Sequence, residues 1–144
     1  MRLGARDVLL WITTMAERSK DWLRQAEADL RHARGSLGLG HHEWAAFAAH
    51  QAAEKAVKAV FQKLHADAWG HALTPLLASL PPEHQPDAGL IERAKELDKH
   101  YIPTRYPNGF ERGAPVDFYT RGEAERAIAN AEAILEFCRH KVGG

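Results

Sequence analysis

The stretch HHEWAAFAAHQAAEKAVKAVFQKLHA, residues 41–66, is long and rich in alanine: Ala45, Ala46, Ala48, Ala49, Ala52, Ala53, Ala56 and Ala59. Alanine is the best helix former, because it loses no side-chain entropy on folding. Its small side chain also lets neighbouring helices approach closely. Trp44, Phe47, Val57, Val60, Phe61 and Leu64 spread apolar surface around more than half of the helix circumference. A helix that apolar belongs at the centre of a helical protein, in contact with several neighbours at once.

Upstream, Trp22, Ala26, Leu30 and Ala33 recur at helical spacing between charged residues, which predicts a helix over residues 19–35. Gly35, Gly38 and Gly40 break the pattern and read as a tight connection. Downstream, a turn at Trp69 and Gly70 precedes a short helix over residues 71–80, ended by Pro81 and Pro82. Asp87 is placed to cap a helix over residues 88–101, whose apolar face is Leu90, Ile91, Ala94 and Leu97. Residues 102–119 hold Pro103, Pro107, Gly109, Gly113 and Pro115 and form the longest irregular segment. Thr120 and Glu123 form a T-x-x-E capping box that opens the last helix. That helix runs to about residue 140 with a stripe of Ala124, Ala127, Ile128, Ala131, Ile134, Leu135 and Cys138. No useful length alternates with period two. The expected fold is therefore all-α: an up-and-down antiparallel four-helix bundle with one additional short helix.

The 144 residues suit one domain, and 19 basic against 19 acidic side chains leave no excess for non-specific duplex binding. A single cysteine, Cys138, excludes an intrachain disulfide and makes the cytoplasm the expected compartment. The apolar run Val8 to Ile12 is too short to span a bilayer. Met15 opens a polar lead-in to the first helix, so residues 1–14 are expected to be an N-terminal extension and residues 15–144 the domain.

Three segments carry a family resemblance. They are AHQAAEKAVKA (residues 49–59), Trp69-Gly-His71 followed by Leu73 and Leu76, and LDKHYIPTRYP (residues 97–107). In this order, from about Ser19 to Val142, they resemble the prokaryotic HEPN domain family, and YIPTRYP is the most specific part. The resemblance implies a helical bundle that forms a homodimer. It also implies association with a minimal nucleotidyltransferase, in a toxin–antitoxin-like pair, and a nucleotide or RNA as ligand. Some members are metal-independent ribonucleases whose signature is an Arg, four to six residues, then a His.

Arg93 and His100 satisfy that spacing, as do Arg34 and His41, which straddle the first helix–helix turn. Ala94 follows Arg93 where the signature has a polar residue. As a catalytic pair, His100 would take the 2′-hydroxyl proton and Arg93 would stabilise charge on the phosphate. Otherwise they are an exposed Arg and a His beside the loop.

For a binding module, the candidate residues are Tyr101, Arg105 and Tyr106. A proline-braced guanidinium between two aromatic rings suits phosphate and base recognition. The competing structural role for Arg105 is an ion pair with Glu54 or Asp98. Gln51, Glu54, Lys55 and Lys58 form the polar face of the central helix. That face is either solvated or, through Gln51 and Lys55, part of a cleft against the Arg105 loop. His71 opens the short helix, as a local hydrogen-bond partner or a site residue. Trp44 and Trp69 are expected in the core or an interface. His41 and His42 point about 100° apart on a helix, so no metal site is expected. No cofactor is expected, and three readings stand: a binding module, a ribonuclease, or a non-catalytic scaffold.

Overall fold

The computed structural model describes Gly4 and residues 17–143. The expected domain start at Met15 and, Gly4 excepted, the 1–14 extension lie outside the described residues. The alanine-rich stretch forms helix α2 (His42–Lys63), which packs against α1 (Ser19–Gly38) and α6 (Arg121–Gly143). Ala45, Ala46, Ala49, Ala52, Ala53, Ala56 and Ala59 are wholly buried on α2, as a central helix requires. The fourth long helix is α4 (Ala88–Asp98), which packs on α6, and the short α3 (Leu73–Ala78) packs on α4. The described residues form an all-α up-and-down four-helix bundle and contain no strand. Two single 3₁₀ turns, Pro82–His84 and Pro107–Gly109, and a one-turn helix α5 (Pro115–Phe118) interrupt the connections.

The core stripes follow the apolar periodicity. Ala26, Leu30 and Ala33 of α1, Ala94 and Leu97 of α4, and the whole expected stripe of α6 are buried. Burial pushes the Cys138 thiol far above its ordinary range, which makes it inert core filler. Asp87 caps α4 through Leu90 N–H at 2.8 Å, and Thr120 accepts from Glu123 N–H at 3.1 Å.

Boundaries differ where a local closure outweighs composition. The first helix was expected to end at Gly35, yet α1 continues to Gly38. The turn that stops it needs Gly40 at φ 81°, with Gly40 N–H on Leu37 O and His41 N–H on Ser36 O. That is a Schellman closure, and it belongs to the left-handed glycine rather than to the first one met. The α2 helix closes in the same way around His65, at φ 53°, three residues before its expected end. Among the described residues, no helix is long and apolar enough to cross a membrane.

Candidate functional site

The chain leaves α4 at Asp98 and folds back on itself at once. The Thr104 hydroxyl, buried, donates to His100 O at 2.7 Å, and Arg105 N–H donates to Ile102 O at 3.1 Å. Arg105 Nε donates to Tyr101 O at 3.0 Å. Pro103 and Pro107 flank this turn with preset φ angles. The result is an ordered loop that lays the Arg105 guanidinium over three rings: Phe47 of α2 at 4.4 Å, Tyr101 at 4.7 Å and Tyr106 at 5.1 Å. Such stacking supports a cation without neutralising it.

Arg105 forms no ion pair with Glu54, Asp98 or any other carboxylate among the described residues, contrary to the structural role expected for it. Both carboxylates are committed elsewhere. Asp98 accepts from Leu73 N–H at 2.7 Å, Thr74 N–H at 2.9 Å, the Thr74 hydroxyl at 2.8 Å and His50 Nε2 at 3.3 Å. Burial alone would raise its pKa, but the hydrogen bonds from His50, Thr74 and Leu73 outweigh that and hold the carboxyl below its ordinary value. Glu54, almost wholly buried, meets His71 Nδ1 at 3.2 Å and Lys58 Nζ at 3.1 Å. The α2 polar face is therefore not a solvated face at Glu54.

Tyr101 is the hub of this cluster. His71 stacks on it with centroids 5.4 Å apart and planes at 19°, and His50 lies 5.2 Å away, Phe47 6.3 Å. His71, Tyr101, Arg105 and Tyr106 thus come together as one cluster. Gln51 adjoins it, its amide nitrogen 3.4 Å from His50 Nδ1. Lys55 turns the other way and pairs with Asp29 of α1. Gln51 and Lys55 line a cleft of about 290 Å³ between α1 and α2, with Asp29, His32, Trp44 and Phe47, rather than the expected cleft against the Arg105 loop.

Arg93 and His100 occupy a different place, the groove between α4 and α6. Arg93 is exposed and donates to Asn130 Oδ1 at 3.0 Å, and Asn130 donates to Glu96 at 2.7 Å. His100 Nδ1 meets the Tyr119 hydroxyl at 2.9 Å. Each is anchored separately, with no hydrogen bond between them. Burial pushes the His100 pKa down, and burial with Glu123 nearby pushes the Tyr119 phenol up to about 12. A cleft of about 190 Å³ beside them is lined by Glu96, Lys99, His100, Glu123, Arg126 and Asn130. The other spaced pair separates, since Arg34 binds Glu132 of α6 at 3.2 Å while His41 precedes α2.

The HEPN domain family profile matches residues 19–141. The chain belongs to the HEPN domain family. The Methanocaldococcus jannaschii protein named "Putative toxin MJ1304" is 28% identical over 138 residues, 87% of this chain and 91% of that protein. The crystal structure of TT1696 from Thermus thermophilus superposes with a TM-score of 0.85 at 50% identity, covering 87% of this chain and 98% of that one. ST0689, an archaeal HEPN homologue, gives 0.75 at 38% identity, covering 87% and 98%. A HEPN domain protein from Thermotoga maritima gives 0.70 at 38%, covering 85% and 98%.

Within this HEPN fold, reasoning from sequence missed four residues that border the candidate site. Phe47 reads as core, His50 as one more helix residue, and Asp98 only as a partner for Arg105. Trp44, expected in the core or an interface, is 49% exposed beside the cleft. The available signal was the α2 spacing: Phe47, His50, Gln51 and Glu54 follow an i, i+3, i+4, i+7 pattern and share one face.

Proposed function

We propose that this chain is a HEPN binding module that holds the phosphate of a nucleotide or of RNA on Arg105. In this reading it acts as a homodimer beside a minimal nucleotidyltransferase, in a toxin–antitoxin-like pair. One observation carries the ligand half: a guanidinium stacked on three aromatic rings, its Nε fixed on Tyr101 O, with no carboxylate partner among the described residues. A cation held in place and left uncompensated is prepared for an anion, and the planar guanidinium fork fits phosphate oxygens. Support for the pairing comes from the HEPN resemblance together with the toxin named among its relatives.

The test is calorimetric titration of ADP and of a short oligoribonucleotide. Arg105→Ala is expected to weaken binding about tenfold, the worth of one charge-assisted contact at roughly 1.4 kcal/mol. Undiminished binding by that variant would reject Arg105 as the phosphate ligand.

A ribonuclease reading has its own observation: His100, its pKa lowered by burial, borders the α4–α6 cleft near Arg126 and Lys99. The Tyr119 hydroxyl occupies Nδ1, which leaves Nε2 as the nitrogen to meet substrate. Expression of the chain alone is expected to leave cellular RNA intact. RNA cleavage that disappears in His100→Ala would reverse the order of the two readings.

A further inference from the structure

We infer that the α1–α2 cleft is the base subsite of the same ligand: a nucleoside phosphate, free or within an RNA strand, places its phosphate on Arg105 and its base against Trp44. The inference rests on the phosphate-binding reading above.

Phe47 joins the two places. Its ring carries the Arg105 guanidinium at 4.4 Å, and it is also a wall of the cleft. Trp44 packs edge-to-face on Phe47, with centroids 6.1 Å apart and planes at 79°. That contact fixes the indole while half of its surface stays open to solvent. A large aromatic ring that is anchored and exposed is a stacking platform, and stacking accepts any base.

The charges give the orientation. In the cleft, the Lys55 ammonium is already neutralised by Asp29. The Arg105 cation, by contrast, has no carboxylate on it among the described residues. A phosphate therefore gains more at Arg105, and an uncharged base gains more in the cleft. The polar atoms of the cleft suit a base edge or ribose hydroxyls: the Gln51 amide donates and accepts, Asp29 accepts, and the His32 ring offers either. The volume of about 290 Å³ lies at the small end of ligand clefts, which fits one nucleoside.

Pyrophosphate, ADP and an unmodified ribotetranucleotide are titrated against the wild type, Trp44→Ala, Trp44→Phe and Arg105→Ala. On the wild type, ADP is expected to bind about tenfold more tightly than pyrophosphate, the gain of one stacked base. Trp44→Ala removes that advantage and leaves pyrophosphate affinity unchanged, while Trp44→Phe keeps most of it. The same loss with the tetranucleotide but not with ADP assigns the subsite to a strand; loss with ADP assigns it to free nucleotide. Equal binding of ADP and pyrophosphate, both lost in Arg105→Ala, with no Trp44 effect on the tetranucleotide, overturns the base subsite and leaves the phosphate reading standing. A Trp44→Ala protein that loses pyrophosphate as well as ADP also overturns it, since the indole would then act through the fold. If none of the three ligands binds the wild type, both readings fall together.

Discussion

Asp98→Ala is expected to destabilise the protein by roughly 3 kcal/mol, the combined worth of a lost helix cap and of hydrogen bonds to a charged group. The carboxylate accepts from Leu73 N–H, Thr74 N–H and the Thr74 hydroxyl, so it closes the start of α3 from a different helix. It also accepts from His50, which is wholly buried. Alanine leaves those donors without their acceptor, in surroundings where water replaces it poorly. In a chain of this size the melting temperature should fall by about 10 °C, measured by circular dichroism. A variant that melts within about 2 °C of the wild type would show that α3 does not depend on this carboxylate.

The same group has a signed pH dependence. Its folded pKa is lower than its unfolded value, so its contribution to stability is present above the ordinary carboxylate range. It is lost as the pH falls through the lowered folded value. Asp98→Asn should therefore remove part of the acid sensitivity of the wild type while retaining one acceptor oxygen. The site is coupled to this, because His50 and the residues before α3 flank Tyr101.

The helices were legible because each carries its own period. The stripe of α6 and the alanine face of α2 mark their buried sides residue by residue, and Asp87 and Thr120 mark two starts. Ends were harder. A glycine in a helical pattern costs little enough to be passed over, and the stop at Gly40 depends on its positive φ, which composition does not show. The short helix shrinks at both ends, from residues 71–80 to Leu73–Ala78, and its start is set by Asp98, which caps it from far along the chain.

The site divides along the same line. Tyr101, Arg105 and Tyr106 were legible as a candidate group through their prolines, aromatics and resemblance to HEPN segments, and His71 as a separate candidate. The partners of Arg105 were not, since a sequence offers carboxylates to a guanidinium more readily than it offers three rings. Asp98 and Glu54 are both in the neighbourhood of the loop, but backbone donors and a histidine take the first, and His71 and Lys58 take the second. Lys55 could be read as part of a solvated face or of a cleft against the Arg105 loop, and the geometry of α1 turned it towards Asp29 instead.

Ala52→Leu is expected to cost about 3 kcal/mol, near the upper end for overpacking a filled core. Ala52 is wholly buried on the helix that contacts both α1 and α6, and its neighbours Ala49, Ala53 and Ala56 are equally closed. Small side chains along α2 set how near the two flanking helices come. Three added heavy atoms must push one of them outward or leave their preferred rotamer. Urea unfolding should show a lower midpoint with little change in slope, which separates a stability loss from a change in the unfolded state. Ala52→Gly serves as the control, because it adds no volume and costs only about 1 kcal/mol through helix propensity. A Leu variant no less stable than that Gly variant would mean that the space between α2 and its neighbours is not filled. The consequence for function follows from the same helix, since Phe47 and Trp44 lie on α2 while Asp29 and His32 lie on α1. A displacement of α1 against α2 widens the cleft, so the Leu variant should lose ligand affinity as well as stability.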